Sequence, residues 1–122
     1  MPINIFMGDD GILGIHFSGR LDSHDAFAFE KDVAVYLEAA SPEYPIATLV
    51  SSLPNTSFEF EMRKAFTAFC QDDRIQKAGI INSSPSLRVI SIFLSQLNGN
   101  DHVHLFDEES LARQWLNHSA AA

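Results

Sequence analysis

The chain has 122 residues, 46% of them hydrophobic, and its 8 Lys and Arg face 16 Asp and Glu, for a formal net charge of −8. One domain of this size buries roughly two thirds of its unfolded surface and holds a core without disulfides or a structural metal. The acidic balance excludes the clustered Lys and Arg of a nucleic-acid footprint; the single Cys70 excludes an intrachain bridge, a zinc ribbon or a dithiol redox site. No apolar run reaches the roughly 20 residues that span a bilayer, and the first ten residues lack the basic flank of a leader. A cytoplasmic, reducing setting with membrane contact at most peripheral is expected.

Ile3 to Met7 and Ile12 to Phe17 are β-prone runs around Gly8-Asp9-Asp10-Gly11, whose Asp-Gly step supplies a tight hairpin turn, so the two strands are expected to pair antiparallel. After Gly19-Arg20-Leu21 the period changes: Phe29, Val33, Leu37 and Ala40 share one helical face. Asp22 is the expected N-cap, Asp25 suits the first turn, and Pro42 and Pro45 mark the exit, predicting a helix from about His24 to Ala40. Ile46 to Val50 reads as a buried strand, and Ser51 to Ser57 as a loop rich in breakers. Thr56 and Glu59 have capping-box spacing, and Phe58, Met62, Phe66, Phe69 and Cys70 recur at helical spacing, predicting a second, aromatic-rich helix.

Ala78 to Ile81 predicts another strand. Ser84-Pro85 then supplies an N-cap and a first-turn proline for a helix through Leu97, which Asn98-Gly99-Asn100 ends. His102 to Phe106 is the last expected strand, and Asp107-Glu108-Glu109 opens a final helix with Leu111, Trp115 and Leu116 inward. The order β-β-α-β-α-β-α-β-α predicts an α/β fold, a mixed sheet of four to five strands with about four helices, over a single domain at 1–118 and a short flexible tail at 119–122. Ten Phe against two Tyr and one Trp predict an aromatic core, since Phe has no polar tip to satisfy.

Gly19-Arg20-Leu21-Asp22, following a hairpin and opening a helix, resembles the G-x-L-D signature of STAS domains. The ending Leu105-Phe106-Asp107-Glu108-Glu109-Ser110-Leu111-Ala112-Arg113-Gln114-Trp115-Leu116 is similar to the F-x-D-E-E-x-A-x-x-W-L close of their SpoIIAA-like branch. The likeness covers nearly the full length. It implies a bacterial, non-enzymatic regulatory or interaction module with no cofactor, which binds a protein partner or an apolar, lipid-like small molecule. Two narrower activities travel with it: a lipid-like ligand carrier or sensor, and an anti-sigma-factor antagonist controlled by phosphorylation. For the latter, the family's D-S-S-G-L loop corresponds to Pro54-Asn55-Thr56-Ser57-Phe58-Glu59. The Asp and Gly of that pattern are missing here, so only Ser57, with Thr56 behind it, carries over as a phosphosite.

Read from residues alone, Thr56 and Ser57 equally suit helix capping, and Glu59 and Glu61 repel a phosphate. Leu87, Ile90, Leu94 and Leu97 are expected on the sheet side of the third helix. Val89, Ile92 and Phe93 are thereby left for a neighbouring helix, a ligand groove or a subunit contact, and Phe58, Phe60, Met62 and Phe66 share that ambiguity. A homodimer is compatible with the hairpin edge or with this helix. His102 and His104, two apart in a strand with Asp101 nearby, present two ligands on one face, short of the three or four a metal site needs. His24 beside Asp22 and Asp25 suggests a base and its orienter, but neighbours in sequence near a helix start do not establish the required hydrogen bonds, and His16 and His118 have no recognised spacing. Gly79 to Pro85 lacks the glycines or lysine of a phosphate loop, and Asp72-Asp73-Arg74 reads as a solvated helix exit. No catalytic or metal-binding residue is assigned.

Overall fold

The computed structural model describes residues 2–98 and 102–120. The chain runs β1 (Ile3–Met7), β2 (Ile12–Phe17), β3 (Arg20–Leu21), α1 (Ser23–Glu38), β4 (Ile46–Ser52), β5 (Ser57–Phe58), α2 (Phe60–Gln71), β6 (Ile75–Ile81), α3 (Pro85–Asn98), β7 (Val103–Phe106) and α4 (Glu109–Ala120). Five strands form one mixed sheet in the order β1-β2-β4-β6-β7, with β1 antiparallel to β2 and every other neighbour parallel. The expected α/β architecture is the one the chain adopts. The end of α4 takes in 119 and 120, where the tail was expected, and 121–122 lie outside the described residues, as do Gly99 and Asn100.

Alternation along the strands divides the core into two layers. Leu13, Ile15, Phe17, Val50, Ala78, Ile80 and Val103 face α1, α2 and α3, whereas Ile12 and Leu49 meet Ala112 and Leu116 of α4 on the other face. Five phenylalanines join the first layer: Phe17 stands 4.9 Å from Phe58 and 5.5 Å from Phe66 by ring centroids, both edge-on, and Phe29 stands 5.5 Å from Phe69. Edge-on packing sets the positive rim of one ring against the negative face of the next, adding to the burial of each side chain.

The G-x-L-D segment has a division of labour. Gly19 sits at φ 75°, a conformation that favours glycine; Leu21 is fully buried; and Asp22 caps α1. The Asp22 carboxylate accepts from the Asp25 amide at 3.1 Å while the Asp25 carboxylate accepts from the Asp22 amide at 3.0 Å, a reciprocal capping box.

Several boundaries differ from expectation for identifiable reasons. The Thr56–Glu59 box does not form, because β5 pairs in parallel with β3: the Ser57 amide donates to Gly19 and the Glu59 amide to Leu21. Those bonds hold the chain extended through Phe58, so α2 starts at Phe60 with Glu59 at the N-cap, its carboxylate turned to Arg20 and making no capping bond to the helix amides. The Thr56 hydroxyl instead donates to the Phe17 carbonyl at 3.4 Å. β6 begins at Ile75 rather than Ala78, because Asp72 and Arg74 form a tight turn: the Arg74 amide and guanidinium both donate to the Asp72 carboxylate, and Arg74 Nη1 donates to the Leu37 carbonyl at the end of α1. On α4, Leu111 points outward and the smaller Ala112 inward, where it sits against Gly79 at 3.5 Å from where a Cβ would be.

Candidate functional site

Helix α2 divides its surface sharply. Met62, Ala65, Phe66, Phe69 and Cys70 face the sheet, leaving Phe60, Arg63, Lys64, Thr67 and Gln71 on the outer side. Helix α3 lies alongside with Leu87, Ile90 and Leu94 buried and Ser84 capping it, the Ser84 hydroxyl accepting from the Leu87 amide at 3.2 Å. Between the two helices runs an open groove of about 570 Å³, walled by Phe60 and Arg63 on one side and Val89 and Phe93 on the other. Phe60 is 64% exposed, Val89 66% and Phe93 50%, which is costly apolar surface for a small acidic domain to leave in water.

The electrostatics of this groove oppose those of the whole chain. Among the described residues, Arg20, Arg74 and Arg113 are held in ion pairs with Glu59, Asp72, and Asp10 plus Glu109, and Lys77 lies 4.3 Å above the Trp115 ring. Arg63 and Lys64, like Lys31 and Arg88, enter none of those ion pairs, so two of the four cations left uncommitted among the described residues border an apolar trough on a molecule of net charge −8. Such a surface attracts groups that combine an apolar body with negative charge.

The candidate residues separate. Val89 and Phe93 come together in the groove, whereas Ile92 is turned to a second hollow against β7, with Ser95, His104 and Leu105. Phe58 and Met62, expected on a binding face, are buried in the core: Phe58 belongs to β5 rather than to α2, and Met62 faces the sheet. Leu97, expected inward, is exposed. Ser57 is exposed in β5, opposite Arg20 in the β3–β5 register, and Arg20 donates to Glu59 at 2.7 Å. A cation beside Ser57 was not legible in the linear sequence, because the pairing spans 37 positions from residue 20 to residue 57.

The two histidines near β7 diverge. His102 lies in the turn before the strand and donates through Nε2 to the Cys70 carbonyl at 2.8 Å, on the α2 side of the sheet. His104 packs at 4.6 Å from Phe106 and 5.9 Å from Trp115, under α4 on the opposite face. No group of three potential metal-ligating side chains occurs among the described residues; Asp101 lies outside them, as does the side chain of His118. Complete burial pushes the Cys70 thiol far up, which keeps it protonated and inert. A pair missed by sequence reasoning is His16 with Ser51, whose side chains share a 2.8 Å hydrogen bond across β2 and β4; among the described residues no third side chain hydrogen-bonds to this pair.

No helix among the described residues is long and apolar enough to cross a membrane. No protein-family model and no curated protein matches the sequence. Among solved structures, the chain is similar to an anti-sigma factor antagonist from Mycobacterium paratuberculosis, with 19% identity, a TM-score of 0.62 and 94% of each chain covered. It is likewise similar to the anti-sigma factor antagonist SpoIIAA in its unphosphorylated form, with 14% identity, a TM-score of 0.62, and 92% of this chain and 95% of that one covered.

Proposed function

We propose that this domain, whose fold is that of the STAS/SpoIIAA-like proteins, is a non-enzymatic regulatory module that binds a protein partner through the α2–α3 groove. The observation that carries this reading is the pairing of exposed Phe60, Val89 and Phe93 with the uncommitted Arg63 and Lys64 on an otherwise acidic molecule. Aromatic anchors at the centre of an interface supply binding energy, while cations at its margin set orientation and association rate. That both structural neighbours are anti-sigma factor antagonists supports a regulatory role in a bacterial cytoplasm. The proposed domain spans 1–118, with the last residues of α4 running on to Ala120.

The test is site-specific photocrosslinking in cells, with the crosslinking residue at Phe93 and, as a control, at the exposed Phe27 on α1. A discrete protein adduct at Phe93 alone, lost when Arg63 and Lys64 are both changed to Glu, supports the reading. Absence of an adduct, or equal adducts at both positions, defeats it. An apolar, lipid-like small molecule is the alternative occupant of the same groove: it predicts a noncovalent adduct in native mass spectra that Phe93→Asp removes while the circular-dichroism spectrum stays unchanged.

A second reading concerns Ser57. Arg20 opposite it in the β-ribbon is engaged with Glu59, and a phosphate, carrying nearly two negative charges, competes for that guanidinium at the mouth of α2. On this proposal phosphorylation at Ser57 switches partner affinity, and Ser57→Ala and Ser57→Glu give opposite effects in the partner assay. Equal affinities for the two variants dispose of the switch.

A further inference from the structure

The two edges of the main sheet are treated differently. At β7 the strand is short, its outward residues are Val103 and Leu105, and the Val103 carbonyl is already taken by the Ser95 hydroxyl at 3.1 Å. At β1 nothing comparable occurs among the described residues. The Ser18 amide donates to Pro2 at 2.8 Å and the Gly8 amide to Ile12 at 2.9 Å, which fixes the hydrogen-bonded pairs of the hairpin as Pro2 with Ser18, Asn4 with His16, Phe6 with Gly14 and Gly8 with Ile12. The alternation then turns the N–H and C=O groups of Ile3, Ile5 and Met7 away from β2, and none of them enters a described hydrogen bond to a side chain or loop.

An open edge is ordinarily blunted by a charge, an internal proline, a bulge or a covering element. From Pro2 to Gly8 there is no charged residue, and the register with β2 is unbroken through Met7. Phe6 and Met7 are exposed on this strand, although the chain around it is rich in charge.

From this edge we infer that β1 pairs antiparallel with β1 of a second copy about a two-fold axis at Ile5, joining the two sheets into one. That register is self-complementary. Ile5 faces the second copy's Ile5 and Ile3 faces its Met7, so every outward N–H and C=O of both strands finds a partner. The side chains agree with it. Ile3 and Ile5 already pack against the helix-side core, the pairing covers exposed Met7 with the second copy's Ile3, and Phe6 falls beside the second copy's Asn4 on the other face. A strand from an unrelated protein satisfies the same backbone groups but not this reciprocal match of side chains. The contact is small and opposed by two like net charges, so the dimer is weak and is strengthened by salt. It is independent of the α2–α3 groove, whose cations predict binding that salt weakens.

Sedimentation velocity on the full chain, from micromolar to submillimolar protein at low and high salt, tests the inference. The expected result is a monomer–dimer equilibrium that moves towards dimer with concentration and with salt. Met7→Pro removes an outward donor and leaves the β1–β2 ladder intact, so it abolishes the dimer. Ile5→Cys places two thiols at a Cα separation of about 5.5 Å, within disulfide range, so oxidation gives a covalent dimer in high yield, whereas Val35→Cys on exposed α1 does not. Buried Cys70 does not compete. A wild-type chain that stays monomeric throughout, or a dimer unaffected by Met7→Pro, overturns the proposal. If circular dichroism shows that Met7→Pro does not fold, Ile5→Cys decides: equal crosslinking of the two cysteine variants overturns it and selective crosslinking supports it.

Discussion

The ring of Phe6 occupies the space where a side chain at Gly14 would stand: an ideal Cβ on Gly14 falls 2.6 Å from Phe6 Cζ. An aromatic on the edge strand thus folds across the sheet and shields the backbone of its hydrogen-bonded partner, a relationship that compensates glycine in a strand. Gly14→Ala must lift that ring. Because the ring is the exposed end of a side chain, it can move, and the gain in strand propensity from Ala partly offsets the lost contact. Gly14→Ala is expected to destabilise by at most about 1 kcal/mol, and in a Phe6→Ala background to stabilise by about 0.5 kcal/mol. Urea unfolding of the four proteins checks this, and additive effects contradict the shielding.

The hydroxyl of Thr48 is buried at the centre of β4 without a hydrogen-bond partner among the described residues. It sits between Leu13 of β2 and Ala78 of β6 in the ladder, both facing the same core layer. A buried polar atom with no partner has lost its water and gained nothing in exchange. Thr48→Val keeps the shape and removes the oxygen, and is expected to stabilise the fold by about 1 kcal/mol in equilibrium denaturation. A destabilised Thr48→Val shows that the hydroxyl is satisfied in solution.

Much of this architecture is legible in residues close together in sequence. The hairpin, the Asp22 cap, the Ser84 cap and the alternating strands all depend on partners within a few positions, where spacing alone specifies geometry. The start of α2 is not legible from local spacing, because the bonds that hold Ser57 and Glu59 extended come from Gly19 and Leu21, and this long-range ribbon overrides the local capping pattern. The same cause moved Phe58 from the expected binding face into the core. Val89 and Phe93 are legible as an excess of apolar residues beyond what one sheet-facing stripe requires, whereas the place of Arg63 and Lys64 on the groove depends on α2 starting at Phe60. The Lys-Arg content of the chain is small, and which cations remain uncommitted depends on pairings such as Arg113 with Asp10, which span most of the sequence.

The capping box also predicts a pH dependence. The Asp25 amide donating to Asp22 holds the Asp22 carboxyl below the usual aspartate range, and the Arg74 guanidinium does the same for Asp72. A folded-state pKa below the unfolded one means that the carboxylate favours the fold above the ordinary aspartate range. That contribution drains away as pH falls through the depressed values. Thermal midpoints are therefore expected to be flat from neutral pH down to the ordinary aspartate range and to fall below it. Asp22→Ala lowers the midpoint at neutral pH, and Asp22→Asn, which keeps an acceptor at the cap, retains most of it while flattening the acid limb. An unchanged acid limb in Asp22→Asn assigns the loss to other carboxylates.

The two sides of α2 separate stability from recognition. Phe66 is fully buried, 5.5 Å from Phe17 and 6.2 Å from Phe29 by ring centroids, so Phe66→Ala opens a cavity in the aromatic layer and is expected to cost about 3–5 kcal/mol, a large part of the total for a small domain. Phe60, six residues earlier in the same helix, stands in water at the rim of the groove, and Phe60→Ser is expected to shift stability by no more than about 0.5 kcal/mol. If the groove is where the partner docks, Phe60→Ser and Phe93→Asp weaken partner binding by at least tenfold while the unfolding curve of Phe60→Ser overlays that of the wild type. Arg63→Glu with Lys64→Glu weakens binding further at low salt than at high salt, because the attraction it removes is the one salt screens. A loss of binding that follows the loss of stability across these variants places the partner elsewhere, since a docking surface loses affinity without losing its fold.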